Sequence, residues 1–337
     1  MSALRPHPGH GVQRPTAGTP NREPGSARRT VTLDMARPEG MNGPLSLRGR
    51  ARDLLTASDD GRARVTDEAA FEATVDYVGS RDLVALTTRP AVDGAERLIG
   101  VRAAPGFRAA LRTVLPGGER SCLLQLLDDI PVATLIAGQS QLAEMSKPGA
   151  SAPPIANVAN LCAGWREDGT MVRGMAAGWP PDVVGPLCTS VADTADPLAW
   201  HEIPPASATM MRRHRRLDVN RDVPSGGWRV AAFLRDSHWP GSGPATGKET
   251  VLHEYSLHLD LSAAGVITSL DVTPHVLPWG ECLPAAAAAG RLVGTPLAEL
   301  DARVRADMVG LHSCTHLNDI LRSLGAVPVL VRAEPGW

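Results

Sequence analysis

Leu292-Val293-Gly294, a charged segment, and then Ser313-Cys314-Thr315-His316-Leu317-Asn318-Asp319 form the stretch on which the reading of this chain turns. It reads like a second version of an earlier one, Leu98-Ile99-Gly100 followed by Ser121-Cys122-Leu123-Leu124-Gln125-Leu126-Leu127-Asp128-Asp129. Set cysteine on cysteine, the Gly-to-Cys interval is 22 residues in the earlier stretch and 20 in the later. The later stretch then carries a histidine two residues on, where the earlier has leucine. The match extends upstream. Arg28-Arg29 precede Leu33-Asp34-Met35 as Arg212-Arg213 precede Leu217-Asp218-Val219. Arg52-Asp53 and Arg235-Asp236 follow, then Phe71-Glu72-Ala73 and His253-Glu254-Tyr255. Self-similarity of this length predicts two structural units rather than a short solenoid repeat.

The expected organisation is a disordered tail over 1–27, a degenerate first copy over 28–138 and a linker or insertion over 139–211. A second copy over 212–330 and a C-terminal tail over 331–337 complete it. Trp228–Arg235, Glu249–Leu261 and Val266–Val276 alternate as strands, with Val251, His253, Tyr255, Leu257 and Leu259 on one face. Glu281–Leu292, Pro296–Met308 (Thr295 as N-cap) and Thr315–Leu324 (ended by Gly325) read as helices. The fold class is therefore α+β. Two tandem related units, each about three antiparallel strands followed by helices, are joined by an irregular, strand-containing insertion. In that insertion Ser146–Pro154 is a loop, and Val158–Met175 a hairpin turning at Asp168-Gly169. An intrachain pseudo-dimer of the two copies follows as an expectation.

The 337 residues carry a formal charge of −2, which gives no general attraction to nucleic acid or an anionic membrane. No apolar run is long enough to span a bilayer, and the first 27 residues lack a secretory core. Five cysteines, odd in number and sparse, favour reduced thiols and a cytoplasmic setting. The Ala-, Arg- and Gly-rich usage suggests a bacterial coding sequence.

The first copy contains no histidine, whereas the second contains His214, His238, His253, His258, His275, His312 and His316. Chemistry is expected in the second copy, since imidazole is both a common metal ligand and the acid–base group of neutral pH. His253, Cys282, Cys314 and His316 stand out, with Glu254 beside the first. Two Cys and two His match a ligand set for Zn or Fe, and cysteines at helix starts favour thiolate. Three readings stay open: a metal site, a metal-free catalytic Cys/His pair, and buried cysteines that merely pack. Arg215 and Arg216, in the run Arg212–Arg216, are candidates for holding a substrate carboxylate; a solvated strand edge is the plainer reading. The recurring Asp34/Asp218, Arg52-Asp53 and Arg235-Asp236 read as structural ion pairs. Gly241–Thr250 fails as a P-loop, because Glu249 stands where Ser/Thr belongs and a strand follows.

Three stretches resemble the DUF2889 family of bacterial proteins: Val251–Tyr255, His275–Cys282 and Ser313–Leu324, with Arg28–Asp34 resembling its longer, actinobacterial-type members. That likeness implies no established activity. The order of strands and cysteine-opened helices is also similar to the NifU/IscU-type iron–sulfur scaffold. On that resemblance His253, Cys282 and Cys314 stand in the three cysteine places and Glu254 near the acidic one. Histidine in the first of these favours a mononuclear Zn or Fe centre.

The leading expectation is a metal-dependent hydrolase or lyase on a small acyl or aromatic acid, metal on His253, Cys282, Cys314 and His316, Glu254 as general base. The alternatives are a metal, iron–sulfur or sulfur carrier serving a protein partner, and a metal-free structural or interaction protein.

Overall fold

The computed structural model describes residues 8–115, 120–139, 159–178, 185–207, 209–222, 224–241 and 245–332. The protein is α+β. Eight strands form one antiparallel sheet: β1 Ser26–Ala36, β2 Leu45–Thr56, β3 Ala63–Val75, β4 Leu83–Arg89, β5 Met211–Asp222, β6 Gly227–His238, β7 Thr250–Leu261 and β8 Ile267–Val276. Their order is β4-β3-β2-β1-β5-β6-β7-β8. The helices are α1 Phe107–Val114, α2 Cys122–Asp128, α3 Ile130–Ile136, α4 Thr170–Ala176, α5 Leu283–Ala288, α6 Leu300–Asp307, α7 Thr315–Ser323 and α8 Val327–Arg332. No described helix is long and apolar enough to cross a membrane.

From Tyr255 to Leu261 alternation produces β7 as expected, whereas the bulge opposite Asp236-Ser237 takes Val251 out of the row expected to hold it with His253. Tyr255, Leu257, Leu259 and Leu261 are buried while Ser256, His258 and Asp260 face outward. Side chains two apart share a face, so one apolar row seats the helices and the other row stays polar. The buried row joins those of the other strands and of α2, α3, α5, α7 and α8 in one apolar core.

The sequence reading counts about three strands per half; there are four. The unrecognised ones, β1 and β5, are central and rich in arginine. Arginine on a central strand gives no apolar periodicity, because most of these charges find their partners far along the chain. Arg28 pairs with Asp218, Arg212 with Asp34, Arg29 with Asp53 and Arg213 with Asp236. Burying such charges requires hydrogen-bonded partners, and these pairs supply them. The same geometry excludes a solvated edge for Arg212–Arg216, all buried at the middle of the sheet.

The β1–β5 register is symmetric. Val31 lies opposite Arg215, Arg28 opposite Asp218 and Asp34 opposite Arg212. Both halves also carry a bulge at the same place, after the Asp53↔Asp67 and Asp236↔His253 pairs.

Helices cover one face. On the other, residues 8–25 run as an ordered strap rather than the expected disordered tail; residues 1–7 lie outside the described residues. Leu277 N–H donates to Val12 O and Arg14 N–H to His275 O, so the strap extends the β8 end of the sheet. Arg22 then grips Asp196, and Trp200 Nε1 donates to Thr19 Oγ1. Pro- and Gly-rich composition reads as disorder only while these partners are out of sight. His201 closes the same face, its ring nitrogens 2.9 Å from Thr30 Oγ1 and 2.8 Å from Thr32 Oγ1.

The hairpin expected over Val158–Met175 is instead a 3₁₀ turn, Ala163–Trp165, followed by α4. Asp168 is held by Arg166, and Glu281 accepts from both the N–H and the hydroxyl of Thr170, so a helix start replaces the turn. The loop expected over Ser146–Pro154 lies outside the described residues. Gly325 does not stop α7: the chain continues through Leu324–Ala326 into α8. A Cβ there would stand 2.7 Å from Arg120 Nε, so close packing accounts for this glycine.

Candidate site around Arg213, Asp236 and His316

Arg213 on β5 is fully buried. Its Nε and Nη2 each donate to Asp236 on β6 at 2.7 Å, and its Nη1 donates to Asp319 on α7 at 2.5 Å. His316, one turn before Asp319, sets its Nδ1 on Asp236 Oδ2, with Arg213 Nη2 3.3 Å from the same nitrogen. Residues i and i+3 share a helix face, so α7 delivers both groups to one guanidinium. The His253 ring stacks on the His316 ring at 3.5 Å between centroids and 13° between planes. The side chain of His316 is 15% exposed and its Asp236 partner 0%, so a buried carboxylate orients a ring that reaches solvent.

Burial opposes the charge on Asp236, but Arg213 and His316 outweigh it and hold the carboxyl far below its usual range. Burial, and then the neighbouring His316, push His253 well below the ordinary imidazole value. His253 is therefore neutral where it stacks.

The first half contains the matching set. Arg29 donates to both oxygens of Asp53 at 2.6 Å and to Gln125 Oε1 at 3.0 Å. Cys122 Sγ lies 3.4 Å from Asp53 Oδ1, and Asp67 stands opposite Asp53 as His253 stands opposite Asp236. This corrects the cysteine-on-cysteine alignment. Cys122 takes the place of His316, and Gln125 that of Asp319. On that register Gly100 to Cys122 and Gly294 to His316 are both 22 residues, and the two-residue mismatch disappears. Contact with the buried Arg–Asp pair, not residue identity, sets the correspondence. Among the described residues, Asp53, Asp67 and Cys122 are the only His/Cys/Asp/Glu group whose ligand atoms all lie within 4.8 Å of one another.

The expected ligands gather only in part. No three of His253, Cys282, Cys314 and His316 bring ligand atoms within 4.8 Å of one another. Rings stacked face to face also direct their in-plane lone pairs alongside each other rather than at one ion. Cys314 opens α7 and takes the Tyr255 hydroxyl at 3.3 Å. Burial raises its thiol, and Tyr255 with the N–H groups of Leu317 and His316 pulls the other way. Cys282 packs at Gly164, where an added Cβ would come within 2.8 Å of its sulfur. Its thiol is pushed well up by burial and by Cys314 and Cys162.

The other candidates are committed internally. Glu254, expected as general base, bonds Arg235 Nε at 2.6 Å and accepts from Thr16 N–H at 2.7 Å, with its side chain 0% exposed. Arg215 pairs with Asp129 and Asp319, and Arg216 with Asp218. Sequence reasoning missed Arg213, Asp236 and Asp319. The available signal was the recurrence of Arg29/Arg213 with Asp53/Asp236 in both copies, which reads as structural until a histidine is seen on one aspartate.

The span holding all of these second-half groups is recognisable. Residues 211–330 match the DUF2889 family. The family is described as a protein of unknown function, so the DUF2889 match supplies no activity. Arg213, Asp236, His253, His316 and Asp319 all lie within the DUF2889 span, whereas the Asp53–Asp67–Cys122 set lies outside it. Neither the curated proteins nor the solved structures give a match, so the likeness to the iron–sulfur scaffold finds no support.

Proposed function

We propose that the DUF2889 half is an acid–base catalytic unit centred on His316, acting as a hydrolase or lyase on a small acyl or aromatic acid. The observation that carries this reading is the Arg213–Asp236–His316 chain, which ends at a partly exposed imidazole. With Nδ1–H given to Asp236, Nε2 keeps its lone pair and can take a proton from water or substrate. The imidazolium then formed lies against a carboxylate that remains charged, and it can return the proton to a leaving group. General acid–base transfer of this kind contributes roughly 10²–10⁴ in rate. His253 is a positioning residue: it stacks on the working ring and stays neutral beside it.

The two halves are best read as copies of one unit joined at β1 and β5, as an isologous dimer within one chain. The symmetric strand order, the shared bulge and the matched arginine hubs support this. The first copy has Asp67 and Cys122 where the second has histidines, and burial drives the Cys122 thiol strongly up. A buried thiol and a carboxylate therefore stand where the second copy has its two imidazoles. Five free cysteines fit a reducing, cytoplasmic setting.

Mass mapping of diethylpyrocarbonate modification, together with a screen of acyl and aromatic esters, tests the reading. His316 should react, and Asp236→Asn and His316→Gln should lower any kcat/KM found by at least ~100-fold with the fold intact. An unreactive His316, or turnover unchanged in both variants, refutes it. Elemental analysis of the same preparation decides the metal alternative. About one Zn or Fe per chain, lost in Cys314→Ser, would mean that the imidazoles unstack to bind it and would favour the metalloenzyme or carrier reading.

A further inference from the structure

A cleft of about 360 Å³ opens on the strap side of the sheet, the face opposite His316, beneath Pro20 and Glu23. Its floor follows one cross-strand row: Arg28, Asp218, Ala231, His258 and Asp271 lie opposite one another in turn across β1, β5, β6, β7 and β8. At one end two guanidiniums share one carboxylate. Arg28 Nε donates to Asp218 Oδ1 at 2.5 Å and Arg216 Nε to Asp218 Oδ2 at 2.7 Å. One positive charge is left over. Arg28 is 2% exposed, yet its Nη1 has no acceptor, and neighbouring Asn220 has an Oδ1 with no donor. A buried donor without an acceptor costs the full desolvation of that group, which a ligand atom would recover. At the other end stand Asp260 and Asp271, both exposed, and among the described residues no ion pair engages Asp271.

The other half furnishes the same place differently. Arg212 has Asp34 to itself through two bonds of 2.5 and 2.8 Å, and Thr32 stands where Arg216 stands. In the row where Ala231 and His258 leave room, Arg48 and Glu72 face each other at 3.8 Å. Arg216, Ala231 and His258 are therefore the three differences at this place in the second half.

We propose that this cleft binds a short zwitterion, an extended peptide of about three residues. Its carboxylate would meet Arg28 and Arg216, an amide N–H would meet Asn220 Oδ1, and its ammonium would meet Asp260 and Asp271. Neighbouring strands are about 4.8 Å apart, so β5 and β7 are separated by about 10 Å. Three extended residues span about 10 Å. The lining holds Arg28, Arg216 and Arg229 against Glu23, Asp218, Asp260 and Asp271, a mixture that disfavours a multiply charged phosphate and suits a ligand carrying both signs. The site is separate from the His316 centre, so its failure leaves that reading untouched.

Calorimetric titration of the full chain with triglycine tests it. Saturable one-to-one binding is expected, weakened at least ~10-fold with triglycine amide and with N-acetyl-triglycine, each of which removes one charge. The double variant Ala231→Arg/His258→Glu, which places the Arg48/Glu72 pair of the first half at exposed or half-exposed positions of the second, should abolish binding. Arg216→Thr, checked for folding by circular dichroism, should weaken it at least ~10-fold. No saturation by about 10 mM triglycine, equal binding of either blocked peptide, or undiminished binding by the double variant would overturn the proposal.

Discussion

His201 pins the insertion to the sheet, and lowering the pH should release it. Both ring nitrogens are bonded, to Thr30 and Thr32, and the residue is 6% exposed. Burial, with Arg52, Arg50 and Arg212 nearby, takes its pKa down from 6.5 to about 3. At pH 5 the folded ring is neutral, while in the unfolded chain, with an ordinary pKa near 6.5, it is mostly protonated. The unfolded state binds more protons, so stability rises with pH. The contribution is complete above about pH 6.5 and is lost progressively as the pH falls towards 3. Between pH 7 and pH 5 the loss from this one group is about 2 kcal/mol, from about 1.4 kcal/mol per unit over roughly one and a half units. Urea denaturation of wild type and His201→Gln at both pH values isolates it, since the variant has no imidazole at this position in either state. The pH 7-to-5 loss should be about 2 kcal/mol smaller in the variant. Equal losses within about 0.5 kcal/mol would refute the reasoning and place a charged, solvated ring at this position.

Arg215→Ala should destabilise the chain by about 3–5 kcal/mol in urea, because it leaves the buried Asp129 and Asp319 without their shared cation. Arg215→Met together with Asp129→Asn should recover part of that loss, and a neutral single variant would show that the bridge is not formed. Gly164→Ala brings a Cβ within 2.8 Å of Cys282 Sγ and should cost about 1–3 kcal/mol, mostly restored by adding Cys282→Ala. A Gly164→Ala variant with unchanged melting temperature would remove that contact. All five thiols are raised, Cys162 to about 11 and Cys188 to about 12. At pH 8 Cys162 and Cys188 should then alkylate with iodoacetamide roughly 200-fold or more slowly than an ordinary thiol of pKa about 8.5. One fast-reacting cysteine would point to a thiolate nucleophile instead.

By itself the sequence determined the parts of this protein written in local periodicity and in recurrence. The alternation in Val251–Leu261 and the apolar spacing around Thr315–Leu324 mark elements whose buried faces can be read from neighbours two or four residues apart. The repeated Arg-Arg and Arg-Asp pairs pointed to a second half built like the first, and the histidine count set the two halves apart. The same reading could not see β1 and β5. Their arginines become interior residues only when Asp53, Asp236 and Asp319, 23 to 106 residues away, arrive to neutralise them. Tertiary structure alone decided that Cys122 answers to His316 rather than to Cys314, because the helix register is set by contact with the buried Arg–Asp pair. It also committed Glu254 to Arg235, turned the Pro-rich tail into a strap, and put His316 on Asp236. Each of these rests on a buried charge finding its partner across the sheet. Such pairing depends on three-dimensional proximity and leaves no periodic trace in the chain.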